Sequence, residues 1–201
     1  SSDVCFRSYL YGFILIVFPM VFCILRGNGL IAKYVDRGSM VSLVAAPVKR
    51  QKIACTQASV LISGVILLLG YATVLEIVVA QGSFPNELEI AELLKLNSGL
   101  FCLLLFIAGI CFLASCLFSD TRYSIGLGAG IPALMYVLQM LANAGEDAEK
   151  AKYFTFFTLF QPENLVAGKS SALMGVTILL IGGIALFAAG IFLFCKKDLY
   201  I

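Results

Sequence analysis

The sequence contains no histidine, and only 13% of its 201 residues are charged. The first absence removes histidine acid/base relays, Ser/His and Cys/His nucleophile pairs and every histidine metal site. The second leaves about half of the roughly 25% charge that a soluble domain carries. No basic run is longer than Lys49-Arg50 or Lys196-Lys197, and the net charge is only +2, so nothing points to nucleic acid as a partner. The seven cysteines form no Cys-x-x-Cys pair, and all but Cys5 lie in or beside charge-free stretches. They read as small apolar packing residues.

What is present is apolar: 61% of residues are hydrophobic and the mean hydropathy is +0.99. Five stretches, 8–25, 53–75, 96–119, 123–145 and 170–195, contain no Asp, Glu, Lys or Arg. A helix needs about 20 apolar residues to cross a hydrocarbon layer of about 30 Å, and each stretch is long enough. The sequence therefore predicts an all-α, polytopic transmembrane helix bundle with five spans, at 8–32, 53–80, 97–119, 123–143 and 171–195.

Charge asymmetry orients the bundle. With five spans, Arg26, Lys33, Arg37, Lys49, Arg50, Lys52, Arg122, Lys196 and Lys197 fall on one side, opposed there only by Asp36, Asp120 and Asp198. The other side holds most of the acids. The positive-inside rule makes the first side cytosolic, which puts the N-terminus outside and the C-terminus in the cytosol. Ser1 is not an initiator methionine, and 1–7 leads into an apolar run too long for a signal peptide. An external N-terminus without an export signal leads us to expect an earlier span upstream.

The connections carry their own signals. Residues 84–96 begin with Pro85-Asn86 and then mix acids with Leu88, Ile90, Leu93 and Leu94, which predicts an external amphipathic helix. Residues 146–169 contain a charge-free aromatic stretch at 153–162. At ten residues it is too short to span, so the segment lies at the outer interface or dips into the membrane and returns. Gly126 and Gly130 form a Gly-x-x-x-Gly pair suited to close helix packing. Ala167-Gly168-Lys169-Ser170 has the end of a phosphate-binding loop, but Glu163 stands where that motif needs its first glycine.

Two places invite functional readings. Glu76 is the only acid within a span, and intramembrane acids default to functional hypotheses, here a place in the transport path. Its nearness to the outer end equally suits a snorkelling or structurally hydrogen-bonded carboxylate. The second place is the cytosolic elbow, 33–52. Asp36 is placed to cap a short helix, Met40, Leu43 and Val44 share one face, and Pro47 ends it. Two turns are not stable alone in water, so this helix lies on the membrane or docks into a partner's groove.

The elbow, with Asp36, Gly38-Ser39, Leu43, Pro47, Arg50 and Ile53, resembles the coupling segment of permeases in the type-two family of ATP-binding-cassette exporters. The resemblance continues through Ser115 to Ser119-Asp120 with Arg122, through Phe157-Thr158-Leu159-Phe160-Gln161-Pro162, and through the ending Lys197-Asp198-Leu199-Tyr200-Ile201. It implies a membrane subunit that catalyses nothing itself and holds no cofactor, with ATP and magnesium on separate cytosolic ATPase subunits. Two permease copies, or one with a related partner, would assemble with them. Asp36, Gly38, Met40, Leu43, Val44, Pro47 and Arg50 would form the ATPase interface. Apolar spans with few polar residues suggest a lipophilic or amphipathic cargo, such as a peptide, drug or lipid, taken from the membrane or cytosol. Members of the family have six spans, one more than is legible here. A non-transporting scaffold or sensor that recruits a cytosolic protein is one rival. An ion-coupled secondary transporter is another, disfavoured by a single intramembrane acid and no histidine.

Overall fold

The computed structural model describes residues 15–29, 50–83, 90–144, 155–166, 168 and 170–196. Within them the chain is helical throughout its regular structure: α1 (Leu15–Gly29), α2 (Arg50–Ser83), α3 (Ile90–Leu117), α4 (Thr121–Ala144), a 3-10 turn (Phe156–Leu159), α5 (Pro162–Val166) and α6 (Ser170–Lys196). Four of these helices are long and apolar enough to cross a membrane, namely α2, α3, α4 and α6. The protein is an all-α, multi-pass helix bundle.

The contacts fix the direction of each helix. Cys23 approaches Leu104 and Gly27 approaches Cys111, so α1 and α3 run parallel. Gly64 of α2 meets Phe22, and Leu61 meets Gly27, which makes α2 antiparallel to α1. Phe106 lies against Gly182 and Phe112 against Gly190, so α6 is parallel to α3. Successive long helices thus alternate in direction, as a serial membrane crossing requires. The tight turn between α3 and α4 is held by Asp120, whose carboxylate accepts the Arg122 backbone N–H at 2.8 Å and caps the start of α4.

Helix α3 is the axis. Its apolar window is 78% buried, whereas those of α2 and α4 are each 22% buried and that of α6 is 28%. Lipid tails are as apolar as leucine, so burial alone does not hold these helices together; close packing does. Helix α6 supplies it with one seam: Ala172, Gly175, Leu179, Gly183, Phe187, Gly190 and Phe194 are all buried, at intervals of three and four residues. From Gly175 onward small residues alternate with large ones along it. Phe187 and Phe112 rings meet at 5.2 Å between centroids beside Gly190. The opposite faces show Leu173, Ile178, Ile181 and Ile184 of α6, and Leu67, Tyr71, Val74 and Val78 of α2, to the surroundings. That is the face lipid would cover.

Two boundaries differ from the sequence reading. Helix α3 begins at Ile90, so residues 90–96 continue into the span instead of forming a separate surface helix; 84–89 lie outside the described residues. Nothing breaks the backbone ladder there, and Glu92 and Lys95 simply ride on the first turns. Helix α2 begins at Arg50 and takes up the end of the elbow, while 33–49 is not described. The first span is described only over fifteen residues, about 22 Å of helix, with Pro19 buried inside it.

Segment 155–166 folds back against one end of the bundle. Phe157, Phe160 and Leu165 are buried, and Phe156 reaches Phe106, with 5.2 Å between centroids. Gly99, which faces Leu165 and Phe160, lies about 10 Å nearer the start of α3 than Phe106 does. The segment therefore follows α3 over about that distance and returns. Gly168, with φ of 66°, closes the turn between α5 and α6 and donates its N–H to Leu165 O at 3.1 Å. Its left-handed conformation ends a five-residue helix, which accounts for the Gly-Lys-Ser string without a phosphate loop.

Candidate functional site

The two ends of the bundle differ in charge. Arg26, Arg50, Lys52, Arg122 and Lys196 all sit at helix ends on one side, joined among the described residues by Asp120. Lys196 stacks its ammonium 4.6 Å above the Phe192 ring. Glu76, Glu92, Lys95 and Asn97 lie toward the other end, together with segment 155–166. A charge difference along the sequence has become a difference between the two ends of one body.

Glu76 lies on α2, about 10 Å before that helix ends. Its carboxylate Oε2 accepts a hydrogen bond from Asn97 Nδ2 of α3 at 3.0 Å. The same amide nitrogen donates to Thr73 Oγ1 at 2.9 Å, and Thr73 in turn donates to Leu69 O at 2.8 Å. Asn97 is 5% exposed, and its Oδ1 is buried with no hydrogen-bond partner among the described residues. The structural reading of Glu76, a carboxylate held by a hydrogen bond between helices, is thus realised in part. A buried amide oxygen left in the same place adds an unmet acceptor.

Beside this cluster an open groove of about 340 Å³ runs between α2 and α3, lined by Ile66, Leu69, Gly70, Thr73 and Phe101. The residues on α2 recur at helical spacing and lead one turn further to Glu76; on α3, Phe101 lies one turn beyond Asn97. A methyl group at Gly70 would meet nothing within 4 Å. The groove is therefore apolar along its length, and Glu76 and Asn97 lie one turn beyond the residues that line it.

A second polar group lies at the same bundle end. Gln139 Oε1 of α4 accepts hydrogen bonds from the hydroxyls of Thr155 and Thr158, the latter at 3.2 Å, and the two threonine oxygens are 3.0 Å apart. Tyr136, one turn away, packs edge-on to Phe157 at 5.6 Å between centroids. These contacts pin segment 155–166 to α4.

Of the residues singled out in the sequence, Asp36, Gly38, Met40, Leu43, Val44 and Pro47 lie outside the described residues. Arg50 is the first residue of α2. Gly126 and Gly130 face outward: a methyl group at either would meet nothing within 4 Å, so neither packs a helix within the described chain. The close approaches are made instead by Gly175, Gly183 and Gly190 of α6 and by Gly27, Gly99 and Gly109. Asn97, Gln139 and Thr155 went unremarked in the sequence. The signal for Asn97 and Gln139 was present, as single amides in otherwise apolar surroundings. No group of three or more metal-binding side chains occurs among the described residues. Compared with protein-family models, curated proteins and solved structures, the chain matches none.

Proposed function

We propose that this chain is the membrane-spanning permease subunit of an ATP-driven exporter in a bacterial-type plasma membrane. It would move a lipophilic or amphipathic cargo outward on energy from separate ATPase subunits, which carry the ATP and magnesium. The observation that supports this most is the continuity of α2. It runs unbroken from Arg50 to Ser83, 34 residues and about 51 Å, against a hydrocarbon layer of about 30 Å. Its basic end follows the elbow directly, and its far half carries Thr73 and Glu76. A helix of that length with no internal proline turns a displacement of the elbow into a tilt at the polar cluster. The basic residues gathered at the elbow end support a cytosolic placement for that face. A second copy would pack on an outward face, for which Gly126 and Gly130 are suited.

The test is partner capture from native membrane. The full chain should co-purify with an ATPase of the ATP-binding-cassette type, and Leu43→Asp should release it while the chain stays folded. Arg50→Ala should weaken capture less, because a rim charge contributes little. Full capture and full transport in Leu43→Asp would overturn the reading.

A further inference from the structure

Helices α4 and α6 flank α3 without packing on each other, and segment 155–166 fills the space between them only at the end away from the cations. Phe106, Ile110, Leu113 and Leu117 recur at intervals of three and four residues and so share one face of α3. At Phe106 that face is covered by Gly182 of α6 and by Phe156 of the segment. Toward the basic end the cover is lost: Ile110 is 9% exposed, Leu113 half-buried and Leu117 42% exposed, although α3 is elsewhere the buried axis. A crevice thus opens on α3 between α4 and α6, in the half of the bundle that segment 155–166 does not reach. Its rim is charged. Arg122 stands exposed at the start of α4 and Lys196 at the end of α6, and neither side chain has an acidic partner among the described residues. Asp120, the one acid at that end among them, turns its carboxylate to the Arg122 backbone N–H. Lys196 leans back along α6 over the exposed Phe192 ring, one turn nearer the membrane centre, so its charge stays at the side of the bundle.

We propose that this crevice binds an anionic phospholipid of the adjoining leaflet, with an acyl chain against Leu113 and Leu117 and the phosphate within reach of Arg122 and Lys196. An apolar floor beneath two cations calls for one molecule that carries both hydrocarbon and negative charge. A soluble anion would leave Leu117 bare, and a zwitterionic lipid would bring its own ammonium beside Arg122 and Lys196. Basic recesses between membrane helices take up acidic headgroups for this reason. Arg122 also has the forked donors that match two phosphate oxygens at once. An acidic protein docked on the end of the bundle would meet the cations and miss the floor. Lipid binding here is independent of what the chain transports, and it does not rest on the exporter reading.

The chain has no tryptophan, so one introduced at the crevice floor gives a signal of its own. Leu117→Trp is reconstituted as the full chain in phosphatidylcholine nanodiscs that contain a minor share of lipid brominated on its acyl chains, either phosphatidylglycerol or phosphatidylcholine. Phe192→Trp serves as a second reporter should the first disturb α3, and Ile178→Trp, exposed on the other half of α6, is the control. Quenching should show brominated phosphatidylglycerol associating about fivefold or more better than brominated phosphatidylcholine at 117 and 192, and about equally at 178. Arg122→Gln combined with Lys196→Gln should bring the ratio at 117 to about one, whereas Arg122→Lys with Lys196→Arg should keep most of it. Glycerol phosphate in solution should not displace the lipid. A preference equal at 117 and 178, a preference unchanged in the double glutamine variant, or displacement by glycerol phosphate would each overturn the proposal. If neither brominated lipid quenches 117 while both quench 178, another helix fills the crevice and the proposal falls.

Discussion

The thiol of Cys111 on α3 donates to the backbone carbonyl of Gly128 on α4 at 3.2 Å. Four residues after Gly128 comes Pro132, inside α4 and fully buried. Proline has no N–H, so the carbonyl one turn earlier loses its helical donor. In a membrane that carbonyl has no water to turn to, and a neighbouring helix satisfies it instead. Cys111 is therefore more than a small packing residue, and the sequence reading of the cysteines holds for it only in part.

This pairing predicts a specific coupling. Cys111→Ala should destabilise the bundle by about 1 to 2 kcal/mol, combining lost packing with an orphaned carbonyl. In a Pro132→Ala background, where an N–H returns, the same change should cost about 1 kcal/mol less. Unfolding in mixed micelles of all four variants gives the coupling; strict additivity would refute it.

The glycines of the bundle end make a graded series. At Gly175 a methyl group would fall on the Leu159 backbone carbonyl, which cannot step aside without moving the 3-10 turn. At Gly99 it would meet the Leu165 Cδ2 at 2.6 Å and the Phe160 ring at 3.1 Å, both ends of side chains that can turn. Gly175→Ala should therefore cost about 2 to 3 kcal/mol, Gly99→Ala about 1, and Gly70→Ala close to nothing. Thermal unfolding in one detergent ranks them.

Gln139→Leu removes the acceptor shared by Thr155 and Thr158. Releasing those hydroxyls should cost about 1 to 3 kcal/mol and loosen segment 155–166 without unfolding α3 or α6. Amide exchange localised to 155–166 is the readout, and uniform loss of protection along all helices would contradict it.

Sidedness is open to direct labelling. Single cysteines at positions 42, 83 and 143, in a chain cleared of its native thiols, should react from outside only at 83 and 143. Reaction at 42 in intact cells would invert the proposed orientation.

The helices were legible because a charge-free stretch of membrane length has few alternatives: 53–80, 123–143 and 171–195 lie within three residues of the ends of α2, α4 and α6. The start of α3 was missed because Glu92 and Lys95 look like surface residues, although a helix passes through an interface without changing its backbone. The Glu76–Asn97 contact joins residues 21 apart and depends on how α2 and α3 are rotated about their axes, which composition does not record. Helix rotation also decides which glycines pack within the described chain. Gly126 and Gly130 carry the familiar spacing yet point outward, while Gly175, Gly183 and Gly190 form the buried seam because large residues fall between them in step.

The burial of α3 also sets an order of assembly. Its closest companion, α6, is synthesised only after α4 and segment 155–166. While the chain is being made, α3 enters the bilayer with the face meant for Gly183 and Gly190 bathed in lipid, and the turn at Asp120 brings α4 to a different side of it. Docking of α6 must then expel acyl chains from that face, so the arrival of the last described helix is the step that converts a row of inserted segments into a single body.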